Sequence, residues 1–175
     1  TSSRKGSAFR LAVRIPAYGV NPQITVDGQR QESLQAKKGY AFVELRGGQH
    51  QICLTFGLPA RIVRANPMVR EDAGKVAVMK GPMVFCLEEA DNGKNLSALY
   101  LDTAEGLKES YQEELLKGAT VIQAKGKRLT QKGWQEQELY GEIPADYEEV
   151  TLTFIPYAYW GNRKPGEMSV WVKEI

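Results

Sequence analysis

With 175 residues, 42% apolar and 25% charged, the chain has a globular composition and enough length to bury a core without disulfide or metal staples. Its net charge of +2, with lysine and arginine scattered, argues against a nucleic-acid partner. No apolar run approaches the roughly 20 residues of a membrane-spanning helix, so no membrane partner is expected.

The opening residues, Thr1-Ser2-Ser3-Arg4-Lys5-Gly6-Ser7, hold no signal-peptide core and give no cellular address. So abrupt a start reads as a piece of something longer. Residues 9–15 then alternate, with Phe9, Leu11, Val13 and Ile15 on one face and Arg10 and Arg14 on the other; Pro16 ends this half-buried strand. Residues 24–26 form a short strand that runs into Asp27-Gly28, a strong two-residue hairpin signal. Two more strands follow at 39–45 and 51–56, separated by Gly47-Gly48, and in the second Ile52, Leu54 and Phe56 share a face. A short strand at 61–65 is halted by Pro67.

The longest nearly unbroken apolar stretch, 74–91, is split by Gly81-Pro82. Proline rules against one continuous helix, so it reads as two extended segments with a bend or bulge between them. From Met83 to Leu87 both alternating faces are apolar, as in a strand covered on both sides. Beyond it come a loop at 91–95, a short strand at 99–101 and weak helical character at 111–117 with Gly118 as a cap. A strand at 119–124, a long polar loop at 131–146 and strands at 149–155 and 168–172 complete the chain. The fold class is all-β: an antiparallel β-sandwich of jelly-roll or immunoglobulin-like type, in two modules with at most short helices. Residues 8–65 read as part of a first sandwich truncated at its N-terminus, and 66–175 as a second, C-terminal one.

Few residues suggest chemistry. Cys53 and Cys86 sit inside apolar strands and read as two buried thiols, with a cross-strand disulfide as the alternative. Glu88, Glu89 and Asp91 cluster where the apolar run ends; paired carboxylates serve glycoside hydrolysis, but neighbours in a strand point to opposite faces, and a strand end needs solvation. His50, the single histidine, lies at a hairpin tip with no nucleophile-elbow motif to serve, and reads as an exposed loop residue. No zinc-binding spacing is present, so no catalytic residue, metal ligand or cofactor is assigned to this chain. The most distinctive segment is 155–171. There Tyr157, Tyr159, Trp160, Asn162 and Arg163 combine rings that stack on sugars with groups that donate to hydroxyls. The competing reading has the rings plug the sandwich end while Arg163 bonds loop carbonyls.

Three motifs in order carry a family resemblance: Leu11-Ala12-Val13-Arg14-Ile15-Pro16; the 74–88 run with its Gly81-Pro82; and Ile155-Pro156-Tyr157-Ala158-Tyr159-Trp160-Gly161-Asn162-Arg163 with Met168-Ser169-Val170-Trp171. Together they resemble the C-terminal part of the β-L-arabinofuranosidase-like glycoside hydrolases, family 127. The resemblance implies a helical barrel followed by β-sandwiches. It places the chemistry in the barrel: a cysteine nucleophile on a zinc site, with a glutamate acid/base. None of these residues is carried onto this chain, and Cys53 and Cys86 do not match the nucleophile. Tyr18 stands where members often have tryptophan, and Arg46-Gly47-Gly48-Gln49-His50 replaces a common Trp and Gly-Asp turn.

The expected role is therefore a non-catalytic accessory region of a bacterial glycoside hydrolase acting on arabinose-containing plant-type glycans. Its partners would be the parent's helical domain and, through unpaired strands, another copy of itself. A periplasmic or extracellular parent fits that reading. The alternative is a carbohydrate-binding module that uses Tyr157, Tyr159, Trp160, Asn162 and Arg163. A small free-standing hydrolase using Glu88 or Asp91 is the third reading and needs two carboxyls converging across a cleft.

Overall fold

The computed structural model describes residues 7–32 and 36–175. Strands dominate, and the longest helix, α1 (Glu89–Asn92), has four residues. The chain forms two compact units, Thr1–Pro59 and Ala60–Ile175.

The first unit holds β1 (Ala8–Arg14), β2 (Val20–Val26), β3 (Gln29–Arg30), β4 (Ala36–Lys37), β5 (Tyr40–Arg46) and β6 (Ile52–Gly57). They form two antiparallel sheets, β1-β5-β4 and β3-β2-β6. Alternation sets the packing: in β5, Ala41, Val43 and Leu45 are buried while Tyr40, Phe42, Glu44 and Arg46 face out. Register sets Phe9, Leu11 and Val13 opposite Leu45, Val43 and Ala41. Leu11, Val13 and Ile15 meet Ile24, Val26, Ile52 and Leu54 from the other sheet in one core. Asp27 and Gly28 join β2 to β3 with φ of 51° and 80°, the pair of positive angles that a tight hairpin needs. The strand read at 24–26 begins earlier, at Val20. It passes a register shift around Pro22, which has no N–H to give the ladder.

The second unit holds β7 (Ala60–Arg64), β8 (Lys75–Lys80), β9 (Met83–Glu88), β10 (Leu99–Leu101), β11 (Leu107–Gln112), β12 (Ala119–Leu129), β13 (Tyr147–Pro156), β14 (Met168–Ser169) and β15 (Val172–Glu174). Pairings run β9-β13-β12-β10-β15-β8, and β8 pairs back to β9, so the sheet closes on itself. All pairs are antiparallel except β10 with β15. Phe85, Leu87, Val76, Val78, Leu99, Leu101, Ile122, Leu152 and Phe154 form the interior. Burying each such large side chain contributes about 1.5–3 kcal/mol. Cys86, Val121 and Ile155 form a separate cluster under Leu115, Tyr159, Met168 and Val170. The central strand is thus covered on both faces at Phe85, Cys86 and Leu87, as its pattern indicates.

Several elements differ from the sequence reading. Gly81-Pro82 is a hairpin, not a bend: Lys80 pairs with Met83, and Gly81 takes φ 56°. The helical character at 111–117 does not materialise. β11 runs through Tyr111 instead, because pairing with β12 from Leu107–Ala124 to Gln112–Ala119 outweighs weak local propensity. The strand at 168–172 breaks in two: Met168 and Ser169 pair with β9, then the chain crosses to seat Val172 against β8. The division between units precedes β7, which pairs with β8 from Ala60–Lys80 to Arg64–Val76.

Along one side β12 serves β11 and then β10, with β13 on the other. Where the partners change, Gly126 has no room for a Cβ, which would lie 2.3 Å from the Tyr100 carbonyl oxygen and 2.9 Å from Leu152 Cδ1.

Candidate functional site

β13 ends at Pro156, which presets the chain for one 3-10 turn, Tyr157–Tyr159. Trp160 N–H donates to the Tyr157 carbonyl at 3.0 Å, closing that turn. Asn162 then caps it, its Nδ2 donating to the carbonyls of Tyr159 (3.1 Å) and Trp160 (3.4 Å). Tyr159 tucks into the Cys86–Val121–Ile155 cluster. Tyr157 and Trp160 stay outside, 45% and 46% exposed. Their rings stack with centroids 6.0 Å apart and planes at 27°.

Arg163 forms the base of this turn. Its Nε donates to Glu88 Oε2 at 3.2 Å and its Nη1 to Asp91 Oδ1 at 2.7 Å, while Nη2 bonds both carboxylates. The amide of Gly161 donates to Glu88 Oε1 at 2.8 Å. Glu88 is only 4% exposed, so this ion pair is shielded from water. The bond to Asp91, with Glu88 adding to it, holds the guanidinium above its already high pKa against the opposing effect of burial.

The carboxylates themselves are positioned by α1. Asn92 locks that helical turn to β13: its Nδ2 donates to the carbonyls of Glu88 (3.0 Å) and Thr153 (2.9 Å), and its Oδ1 accepts from Thr153 N–H (2.8 Å). Glu89 turns away and accepts from the Glu167 amide at 3.1 Å. Glu167 in turn accepts from the amides of Leu96 (2.8 Å) and Asn95 (2.9 Å), which hold its carboxyl below the usual range.

Among the residues singled out from sequence, Tyr157, Tyr159, Trp160, Asn162 and Arg163 do lie together, with different tasks. Only the rings of Tyr157 and Trp160 face outward as a pair. The Asn162 amide nitrogen is engaged by backbone, and the Arg163 guanidinium is directed at Glu88 and Asp91 rather than at loop carbonyls. Glu88 is not solvating a strand end; it is a buried partner. Sequence reasoning missed Asn92, whose only signal was an amide in a turn after a buried strand.

These features point to one lineage when the chain is compared with known proteins. The profile of the glycoside hydrolase family 127 C-terminal domain matches residues 60–173. The chain belongs to glycoside hydrolase family 127. It is 32% identical over 176 aligned positions to the non-reducing end β-L-arabinofuranosidase of Bifidobacterium longum, covering 97% of this chain and 26% of that protein. The crystal structure of a family 127 β-L-arabinofuranosidase from Geobacillus stearothermophilus T6 is similar, with a TM-score of 0.87 and 37% identity over 98% of this chain and 27% of the other. A structure described as a glycoside hydrolase has a TM-score of 0.81 at 29% identity, covering 99% of this chain and 29% of its own. The chain thus spans about a quarter of the length of these relatives.

In this family 127 chain both cysteines are free. Cys86 is buried, and burial, followed by the charge of Glu88, pushes its thiol up to about 12. Cys53 is exposed, against the expectation of a buried thiol: Ile52 and Leu54 take the inward face of β6 and leave Cys53 the outer one. His50 is less exposed than a loop tip suggests. It bridges Asp27 Oδ2 (2.8 Å from Nδ1) and the Arg46 carbonyl (2.7 Å from Nε2). Among the described residues no group of three or more His, Cys, Asp or Glu is placed to hold a metal ion.

Proposed function

We propose that this chain is a non-catalytic accessory β-sandwich region of a bacterial family 127 glycoside hydrolase acting on arabinose-containing plant-type glycans. In this reading it braces the catalytic helical barrel, and any zinc belongs to that barrel. The observation that carries it is the engagement of Glu88 and Asp91. Both are committed to one arginine, with Glu88 buried and Asp91 nearer the surface, which suits a structural tie rather than an acid/base pair flanking a glycosidic bond. The β-L-arabinofuranosidase activities of the B. longum and G. stearothermophilus relatives support the substrate class. The outer edges of β1 and β6 end their sheets and offer backbone groups to further strands, from the parent or from a second copy. To test the main claim, an aryl β-L-arabinofuranoside is offered to this chain and to the full-length parent. Turnover is expected only with the parent; hydrolysis by this chain alone would sink the proposal.

A second reading is favoured by the outward Tyr157–Trp160 stack: a sugar-binding surface, with Tyr159, Asn162 and Arg163 as its support. It predicts saturable binding of arabinan that is lost in a folded Trp160→Ala variant. Equal binding by the variant would remove it.

A further inference from the structure

The most exposed large apolar neighbours along the described chain are Leu139 and Tyr140, 81% and 92% accessible. They sit on the connection between β12 and β13, residues 130–146. This loop is built to hold its shape. Its ends are joined by Thr130 N–H to the Asp146 carbonyl (2.8 Å), Thr130 Oγ1 to Asp146 Oδ2 (2.8 Å) and Lys132 Nζ to Asp146 Oδ1 (3.1 Å). Inside it, Trp134 N–H donates to the Gln131 carbonyl (3.1 Å) and Glu138 N–H to that of Gln135 (3.0 Å). Ile143 packs against two glycines: a Cβ on Gly133 would lie 3.1 Å from it, and one on Gly141 3.5 Å. The loop thus seats Ile143 against its own glycines and leaves Leu139, Tyr140 and, to a lesser degree, Trp134 (37%) exposed.

Around that tip the charge is of one sign. Glu136, Glu138 and Glu142 are present between Gly133 and Ala145, with no lysine or arginine. The tip sets exposed Leu139 and Tyr140 among acids, and Leu139 also borders a hollow lined by Trp134, Glu136 and Glu138. Its composition is that of an interface patch: an aromatic anchor accompanied by charges.

We propose that the Leu139–Tyr140 tip docks into the part of the family 127 polypeptide that lies outside this chain, in an apolar notch rimmed by lysine or arginine. Two observations select this occupant. Relatives are about four times as long as this chain, so most of the polypeptide that would carry it is available as a tethered partner at high effective concentration. The acidic rim calls for a basic counterpart. The proposal rests on the accessory reading and names the surface through which bracing occurs.

The experiment uses the full-length polypeptide with a photo-reactive phenylalanine analogue in place of Tyr140. Irradiation is expected to give intramolecular cross-links to residues outside this chain, beside lysine or arginine. In a second arm, Leu139→Ser with Tyr140→Ser raises amide exchange at 137–142 at least about tenfold. Reversing the rim with Glu136→Lys, Glu138→Lys and Glu142→Lys lowers cross-link yield about tenfold. Cross-links only to a second copy, to residues within this chain or to none overturn the proposal, as does unchanged exchange in the double variant. Hydrolysis by this chain alone would instead overturn the accessory reading, so the two failures are told apart.

Discussion

His50 in the first unit and Arg163 in the second do the same mechanical task, tying a turn to a carboxylate, and the carboxylates differ in their access to water: that of Asp27 is half exposed and that of Glu88 is buried. His50 joins the loop after β5 to the Asp27-Gly28 hairpin. Both of its ring nitrogens face acceptors, a carboxylate and a carbonyl, so the full clip needs the doubly protonated imidazolium. Arg163 ties the aromatic turn to Glu88 and Asp91, is charged at every physiological pH and meets a carboxylate that is 4% exposed. One fastening is conditional and screened by solvent; the other is permanent and shielded.

The largest effect is expected from Arg163→Met. It strands Glu88 as an uncompensated buried charge and should lower unfolding free energy by about 3–5 kcal/mol in urea titrations. Adding Glu88→Gln to that variant should recover about 1–3 kcal/mol; no recovery would mean that the pair acts through packing alone.

A steric variant separates charge from packing. Gly126→Ala places a methyl group on the Tyr100 carbonyl and Leu152, and about 1–3 kcal/mol should be lost, with no dependence on pH or salt.

The His50 clip should give a smaller, pH-limited signal. The bond to Asp27, then that to Arg46, raises the His50 pKa above its ordinary 6.5, so its stabilisation is complete below about 6.5 and disappears as pH rises through the higher folded value. The Gln51 amide, then His50, lowers Asp27 below 3.8, so that contribution is present above 3.8 and fades as pH falls through the lower folded value. His50→Gln should remove the alkaline-side slope in thermal melts taken across pH 6 to 9. A slope that persists would assign it to another group. Smallest of all, Arg10→Ala should cost under about 0.5 kcal/mol, because Arg10 and Glu44 are both mostly in water.

The comparison also shows what a sequence can reveal. Asp27-Gly28 and the alternation in β1 and β5 were legible because they are local: a dipeptide sets φ, and a period of two sets the face. The double-sided burial of β9 was legible for the same reason. The tie between Arg163 and Glu88 was not, since 75 positions separate them and only the return of β13 and its turn brings them together. β11 escaped because its Lys108-Glu109-Ser110-Tyr111-Gln112 has no apolar alternation. Pairing with β12 orders it, and Glu109 then accepts from the Ala60 amide at 2.6 Å and pairs with Lys80. The outward side of Cys53 was in fact readable from Ile52 and Leu54, had periodicity been weighed above the usual burial of cysteine.

The closure of the second unit has a consequence for biosynthesis. β15, at 172–174, is the piece that joins β10 to β8, so a nascent chain leaving the ribosome cannot complete the ring until these residues emerge. Until then the facing edges of β8 and β10 stay open to other strands in the crowded cell. Deleting only these few positions would therefore act on far more of the molecule than their number suggests, turning a closed ring into a sheet with two adhesive rims.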